Sequence, residues 1–259
     1  MGGAILKGLV VGEATSDIRV TNRSRSTAEQ YDGLRNVTSY SLESTPDANA
    51  RAVSGAGIVI VGVKPVMVPD LLREIADALD PEAIVVSVAA GVTIETMEAL
   101  VPVSVLRSMP NTPSLVGLGV TGLAAGSRST AGEFALVRQV FESVGDVIDV
   151  PESQIDALST VSGSGPAYVF FLIEQLTATA VSLGFTPEQA ATMVQGTFRG
   201  ATELLAQGDV DPAELRRRVT SPKGTTERAV QVLEEARLSE LFDRATAAAL
   251  ARARELAAG

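Results

Sequence analysis

The sequence contains the apolar run GIVIVGV at residues 57–63. This run of β-branched residues predicts a strand that is buried on both faces. Similar runs are IRVTN at 18–22, AIVVSV at 83–88 and VSVLRSM at 103–109. Helical patterns such as PDLLREIADALD and TIETMEAL lie between these runs. Strands that alternate with helices predict right-handed βαβ units and an α/β fold with a doubly wound parallel sheet.

The composition excludes several classes of function. A net charge of −10 gives no positive field for nucleic acid or for an anionic membrane surface. The absence of cysteine and histidine removes thiolate nucleophiles, imidazole bases and the usual zinc ligands, so we expect no metal site. Glu174 and Gln175 interrupt the longest apolar stretch, which predicts a buried helix and not a membrane span. We therefore expect a cytoplasmic protein.

The strand pattern stops after GDVIDV at 145–150, and the rest of the sequence is rich in alanine, leucine, glutamate and arginine. This change predicts two domains, a nucleotide-binding domain over 1–150 and a helical domain over 151–259. The predicted helices of the second domain are 166–183, 187–207, 211–218, 225–236 and 239–257.

The first residues, MGGAILKGLVVG, place two glycines at the start of a helical pattern that runs into the strand at 18–22. In a Rossmann-type dinucleotide fold, a strand and G-x-G-x-x-G precede such a helix, and the glycines let the backbone approach the pyrophosphate. We therefore predict a Rossmann-type sheet whose first strand is missing, with Gly2 at the phosphates. A flexible start is the alternative interpretation of the glycines.

The segment TNRSRS, at residues 21–26, follows the strand at 18–22. The residue that selects the ribose lies about 20 positions beyond the glycines, which is Asn22 here. An NAD enzyme would place an acid there, whereas Arg23 and Ser24 offer donors that suit a 2′-phosphate. The pattern favours NADPH and leaves NADH open; the alternative is a solvated basic turn.

Three more loops follow strands, at the edge where parallel sheets bind ligands. They are VKP, AAGV and MPNTP, and their candidate cofactor contacts are Val63, Lys64, Pro65, Ala89, Ala90, Gly91 and Asn111. Small residues at 89–91 would let a nicotinamide ring lie close to the backbone. Each loop also has a structural interpretation. VKP could simply start a helix, AAGV could be an ordinary turn, and the Asn111 amide of MPNTP could hold neighbouring loops together.

Two further segments, VSGSGPAY at 161–168 and LRRRVTSPKGTTERAVQVLE at 215–234, complete an ordered set with NRS, VKP, AAGV and MPNTP. This set resembles pyrroline-5-carboxylate reductase. The resemblance implies NADPH-dependent reduction of 1-pyrroline-5-carboxylate to L-proline by an oxidoreductase acting on CH–NH, and a homodimer that assembles into a larger homo-oligomer. It also implies that Met1 falls inside the family's glycine motif, through a start assigned too late or through truncation.

The resemblance implies roles for further residues. Thr226 matches the threonine that hydrogen-bonds the ring nitrogen, and Asn49 stands where the family has a cofactor-contacting asparagine. The expected substrate-binding residues are Glu152, Ser221, Lys223, Gly224, Thr225 and Thr226. Lys223 departs from the glycine that is usual there, so it is either strained or a cation for the substrate carboxylate. Without the resemblance, Thr225 or Thr226 could equally be a helix N-cap.

The sequence argues against one rival function and leaves two others open. A β-hydroxyacid dehydrogenase needs a lysine in the long helix, and this sequence has no lysine between Pro166 and Gly208. A related NADPH-dependent cyclic imine reductase remains an alternative. So does a catalytically silent oligomeric homologue that has lost its cofactor, which NADPH binding would distinguish.

Overall fold

The computed structural model describes residues 1–12 and 16–258. The chain divides into two compact units, the first made of Met1–Ser164 with Ala249–Gly259 and the second of Gly165–Ala248. The helix Glu152–Leu158 lies before Ser164, so it belongs to the first unit, whereas the predicted functional domains divide after Val150.

Strands and helices alternate through most of the first unit. The strands of the described residues are β1 (Ile18–Asn22), β2 (Val37–Ser41), β3 (Ile58–Val61), β4 (Ile84–Ser87), β5 (Ser104–Met109), β6 (Gly119–Ala125) and β7 (Gly145–Asp149). The helices up to Leu158 are α1 (Gly2–Val11), α2 (Arg25–Ala28), α3 (Ala48–Val53), α4 (Val68–Ile75), α5 (Ile94–Glu98), α6 (Ala131–Glu142) and α7 (Glu152–Leu158).

The strands form two sheets. One has five strands in the order β3-β4-β5-β6-β7, and the other is the pair β1-β2. All pairings are parallel except β5 with β6. The predicted α/β fold with a predominantly parallel sheet is confirmed, but β2 and the antiparallel β6 were not predicted. The β6 sequence, GVTGLAA, has few β-branched residues, so its strand signal is weak.

The core lies on both faces of the larger sheet. Val85 and Val105 point to the face that α4, α5 and α7 cover, and the next residues, Val86 and Leu106, point to the face that α1 and α6 cover. Successive side chains of a strand alternate between faces, so these wholly buried strands need apolar residues at nearly every position. That requirement explains why the runs at 57–63, 83–88 and 103–109 were readable as strands.

A gap separates β1 from β3. No strand among residues 1–12 and 16–258 pairs with the free edge of either one. A cavity of about 1590 Å³ lies there, lined by both strands and by Ile5, Leu6 and Leu9 of α1.

The second unit is helical. It contains α8 (Gly165–Ser182), α9 (Pro187–Ala206), α10 (Pro212–Arg218), α11 (Thr225–Glu235) and the first part of α12 (Leu238–Ala258). The predicted helices are confirmed to within two residues at each end. In the described part of the chain, no helix has the length and apolarity needed to cross a membrane. Large apolar side chains of α8, including Val169, Phe170, Phe171 and Leu176, are exposed.

Candidate active site

The amino end of α1 opens onto the cavity between β1 and β3. Its N-cap, Met1, makes no side-chain capping hydrogen bond. The loop after β3 passes close by, because a Cβ placed on Gly62 would lie 3.9 Å from the Cα of Gly2. Uncapped N–H groups at a helix start suit an anion such as a phosphate.

The structure brings five of the twelve predicted cofactor residues together around this cavity. They are Gly2, Asn22, Arg23, Asn49 and Val63. The other seven do not line it: Ser24, Lys64, Pro65, Ala89, Ala90, Gly91 and Asn111. The cavity therefore unites Gly2, predicted for the phosphates, with Asn22 and Arg23, predicted for the ribose side, whereas the loop at 89–91, predicted for the nicotinamide, does not line it.

The turn after β1 presents an unpaired cation. Arg23 is exposed and has no hydrogen-bond or ion-pair partner within the described ranges. Ser24 caps α2 by accepting from the N–H of Thr27 at 3.3 Å, and the amide of Asn22 donates to Ser39 Oγ at 3.3 Å. The Arg23 guanidinium is therefore available for a 2′-phosphate, whereas the Ser24 hydroxyl already caps α2.

The loops after β3 and β4 differ in their constraints. Lys64 is exposed and precedes a short 3₁₀ turn that Pro65 begins. Gly91 has a φ of 74°, in the left-handed region, where a larger residue would be strained. The N–H of Ala89 donates to Ser87 Oγ at 3.2 Å. The small residues at 89–91 thus form a tight, side-chain-poor turn before α5.

Asn111 makes the contacts of a loop-pinning residue. It is buried, its amide nitrogen donates to the carbonyl of Ser162 at 3.0 Å, and its Oδ1 accepts from the N–H of Val120 at 2.8 Å. These bonds are those expected of an amide that holds neighbouring loops together, and contact of Asn111 with a cofactor stays a prediction.

The predicted substrate segment lies between α10 and α11 in the second unit. Gly224 is the N-cap of α11, with no side-chain capping bond, so neither Thr225 nor Thr226 caps the helix and that alternative is wrong. Both threonines are exposed on the first turn, as are Ser221 and Lys223 before it. Lys223 has a φ of 62°, and its N–H donates to Glu227 Oε2 at 2.9 Å. Backbone donors and hydroxyls therefore gather at one open helix start.

Glu152 lies at the start of α7, in the first unit, and its carboxylate is already engaged. Its Oε1 accepts from the N–H of Ile94 at 2.7 Å and lies 3.4 Å from Arg107 Nη1. Asp156 Oδ1 lies 2.6 Å from Arg107 Nη2. Sequence reasoning missed Arg107 and Asp156, although an arginine inside the apolar strand VSVLRSM was a signal for a buried ion pair.

Comparison with known proteins identifies the family. Residues 152–256 match the protein-family model described as pyrroline-5-carboxylate reductase dimerisation. Residues 1–91 match the family model described as NADP oxidoreductase coenzyme F420-dependent. The chain is 37% identical to pyrroline-5-carboxylate reductase of Corynebacterium melassecola, over 99% of this chain and 95% of that protein. The chain belongs to the pyrroline-5-carboxylate reductase family. The resemblance drawn from its motifs is therefore confirmed.

Solved structures of this family have the same fold. A pyrroline-5-carboxylate reductase from Coxiella burnetii is 35% identical and superposes with a TM-score of 0.90, covering 98% of this chain and 94% of that one. A Plasmodium falciparum pyrroline carboxylate reductase with NADP bound is 24% identical, with a TM-score of 0.83 over 99% of this chain and 94% of that one. The second likeness, at this identity, concerns the fold alone.

Proposed function

We propose that this chain catalyses the NADPH-dependent reduction of 1-pyrroline-5-carboxylate to L-proline, as an oxidoreductase acting on CH–NH. The observation that carries the proposal is the open amino end of α11, where no side chain caps the helix and Thr225 and Thr226 expose their hydroxyls. Family membership supports the same reaction.

The first unit fits a dinucleotide phosphate. The uncapped start of α1 at Gly2 supplies N–H donors for the pyrophosphate, and Arg23 supplies a guanidinium for the 2′-phosphate. Asn22 and Asn49 line the same cavity and offer amides to the ribose side. When bound, NADPH supplies the hydride. The loops at 63–65 and 89–91, with Asn111, are proposed to contact its nicotinamide half.

The second unit fits an anionic cyclic imine. The N–H groups of the first turn of α11, with Ser221 and Thr225, are proposed to bind the carboxylate, and Lys223 adds a positive charge beside them. The Thr226 hydroxyl is proposed to hydrogen-bond the ring nitrogen, since a hydroxyl can both donate and accept as protonation changes. The resemblance implied that Glu152 binds substrate, but its carboxylate accepts from the N–H of Ile94 and lies beside Arg107, so we assign it no substrate contact.

The reaction needs little acid–base catalysis from the protein. Hydride adds to the carbon of the protonated C=N group, the C=N electron pair moves to nitrogen, and the nitrogen keeps its proton as the amine of proline. The substrate thus arrives with the positive charge that attracts hydride, and the residues above orient it. This is consistent with a sequence that has no histidine.

Organisation and location complete the proposal. Residues 1–150 are proposed to bind NADPH, with NADH as a weaker alternative, and 151–259 to bind substrate and dimerise. The exposed aromatic side chains of α8 support burial against another subunit. We propose a homodimer that assembles further, in the cytoplasm; light scattering and cell fractionation test these two statements.

The proposed role of Thr226 is tested by two substitutions. Thr226→Val keeps the shape and removes the hydroxyl, so we expect kcat to fall about 100-fold, as when one positioned donor is lost at a reacting centre. Thr226→Ser keeps the hydroxyl and should retain most activity. Thr246→Val is the control, because Thr246 donates only within α12, to the carbonyls of Phe242 and Asp243. Equal activity of Thr226→Val and wild type would contradict the assignment.

A further inference from the structure

An ion network adjoins the loop proposed to contact the nicotinamide, with Arg107 buried and its two carboxylate partners, Glu152 and Asp156, partly exposed. We propose that Arg107, Glu152 and Asp156 position residues 89–93, and that Glu152 acts on the reaction through this loop and not by contact with the substrate. This inference rests on the proposed function, because that function assigns the loop to the cofactor.

Arg107 is the centre of the network. It lies on β5 between β4 and β6, paired with Ser87 on one side and Ala124 on the other, and only 2% of its surface is exposed. Its two terminal nitrogens face the carboxylates of α7, and Nε has no hydrogen-bond partner in the described part of the chain. A buried guanidinium depends strongly on its partners, because an unpaired charge there is costly.

The two carboxylates lie on one face of α7. Glu152 and Asp156 are four residues apart, so they lie one turn apart on the same side of the helix. Like charges at this spacing repel one another unless a cation lies between them. Arg107 supplies that cation and so fixes which face of α7 meets the sheet.

Glu152 also reaches the loop itself. The N–H of Ile94, the first residue of α5, donates to its Oε1 at 2.7 Å. Ile94 is buried and directly follows the loop, three positions after Gly91 with its φ of 74°. At the other end, the N–H of Ala89 donates to Ser87 Oγ. The loop is therefore anchored at both ends, and Glu152 is the anchor on the α5 side.

The test combines kinetics with amide hydrogen exchange on the full chain. Glu152→Ala removes the acceptor for the N–H of Ile94, so we expect amide exchange of the peptide that covers 89–98 to accelerate about tenfold. We also expect kcat to fall about tenfold, because a misplaced nicotinamide ring transfers hydride more slowly. KM for both substrates should stay within about twofold of wild type. Glu152→Gln keeps an acceptor oxygen and should recover part of both losses.

Glu142→Gln is the matched control, because Glu142 pairs with the partly exposed Arg138 of α6, away from the network. It should change neither exchange at 89–98 nor kcat.

A large rise in KM for the imine in Glu152→Ala, with unchanged exchange, would overturn the inference in favour of direct substrate contact. Faster exchange with unchanged kcat would show that the network only supports the structure, and it would also overturn the inference. If wild type shows no turnover, the proposed function fails, and unchanged exchange in Glu152→Ala would separately refute the anchoring.

Discussion

Replacing Lys223 separates backbone strain from substrate binding. Lys223 has a φ of 62°, where a side chain costs about 1–2 kcal/mol relative to glycine. Glycine gains disorder in the unfolded chain, which offsets about 0.5–1 kcal/mol of that relief. Lys223→Gly should therefore stabilise the fold by about 0.5–1 kcal/mol, which for a chain of this size raises Tm by about 2 °C.

The same change removes a positive charge near the proposed carboxylate site. An exposed ion pair contributes about 0.2–1 kcal/mol, so KM for 1-pyrroline-5-carboxylate should rise by at most about fivefold. Because Lys223 is exposed, this rise in KM should shrink as salt is added.

Two further variants at position 223 separate the effect of the charge from the effect of the backbone strain. Lys223→Ala removes the charge and keeps the strained φ, so it should raise KM without raising Tm. Lys223→Arg keeps both features and should resemble wild type. Steady-state kinetics and thermal denaturation on all four proteins are the assay. An unchanged KM in both Lys223→Gly and Lys223→Ala would refute carboxylate steering, and equal Tm values for those two would refute the strain.

Three other changes test the cofactor site, the core and an ion pair. Arg23→Ala should raise KM for NADPH about tenfold and leave that for NADH within about twofold, because only NADPH carries the 2′-phosphate; parallel shifts in steady-state kinetics would contradict this. Phe141→Ala should lower the free energy of unfolding by about 3–5 kcal/mol in urea titration, since Phe141 is fully buried against the sheet; a loss below about 1 kcal/mol would contradict the packing. Arg217 and then Arg218 hold the pKa of Glu214 below its ordinary value of 4.5, so these two ion pairs stabilise the fold above pH 4.5 and the stabilisation is lost as pH falls through the lowered pKa. The Tm difference between wild type and Glu214→Gln should therefore be largest near neutral pH and vanish in acid, and a pH-independent difference would contradict it.

Sequence predicted those parts of the fold that have a strong local signal. Buried parallel strands such as β4 need apolar residues at almost every position, which makes them readable, and the helices from α8 onward have clear turns between them. β6 escaped prediction because GVTGLAA packs through small residues. Gly122, for example, lies so close to Leu158 that an added Cβ would contact its side chain at 2.6 Å.

The candidate site was predicted in part for a similar reason. Motifs marked the segment around Thr226 and the turn at Arg23, because short runs of residues define them. The link from Arg107 to Glu152 spans 45 positions, and the N–H of Ile94 reaches Glu152 across 58. Such pairings depend on strand order and register, which local patterns do not contain.

The proposed reduction of 1-pyrroline-5-carboxylate with NADPH can be measured directly. The most direct measurement mixes the purified protein with both compounds, follows NADPH oxidation by absorbance and measures proline by chromatography in the same sample. We expect imine-dependent oxidation with one proline formed per NADPH consumed, and a fall of about 100-fold in both rates in Thr226→Val. Absence of imine-dependent oxidation, or oxidation without proline, would contradict it.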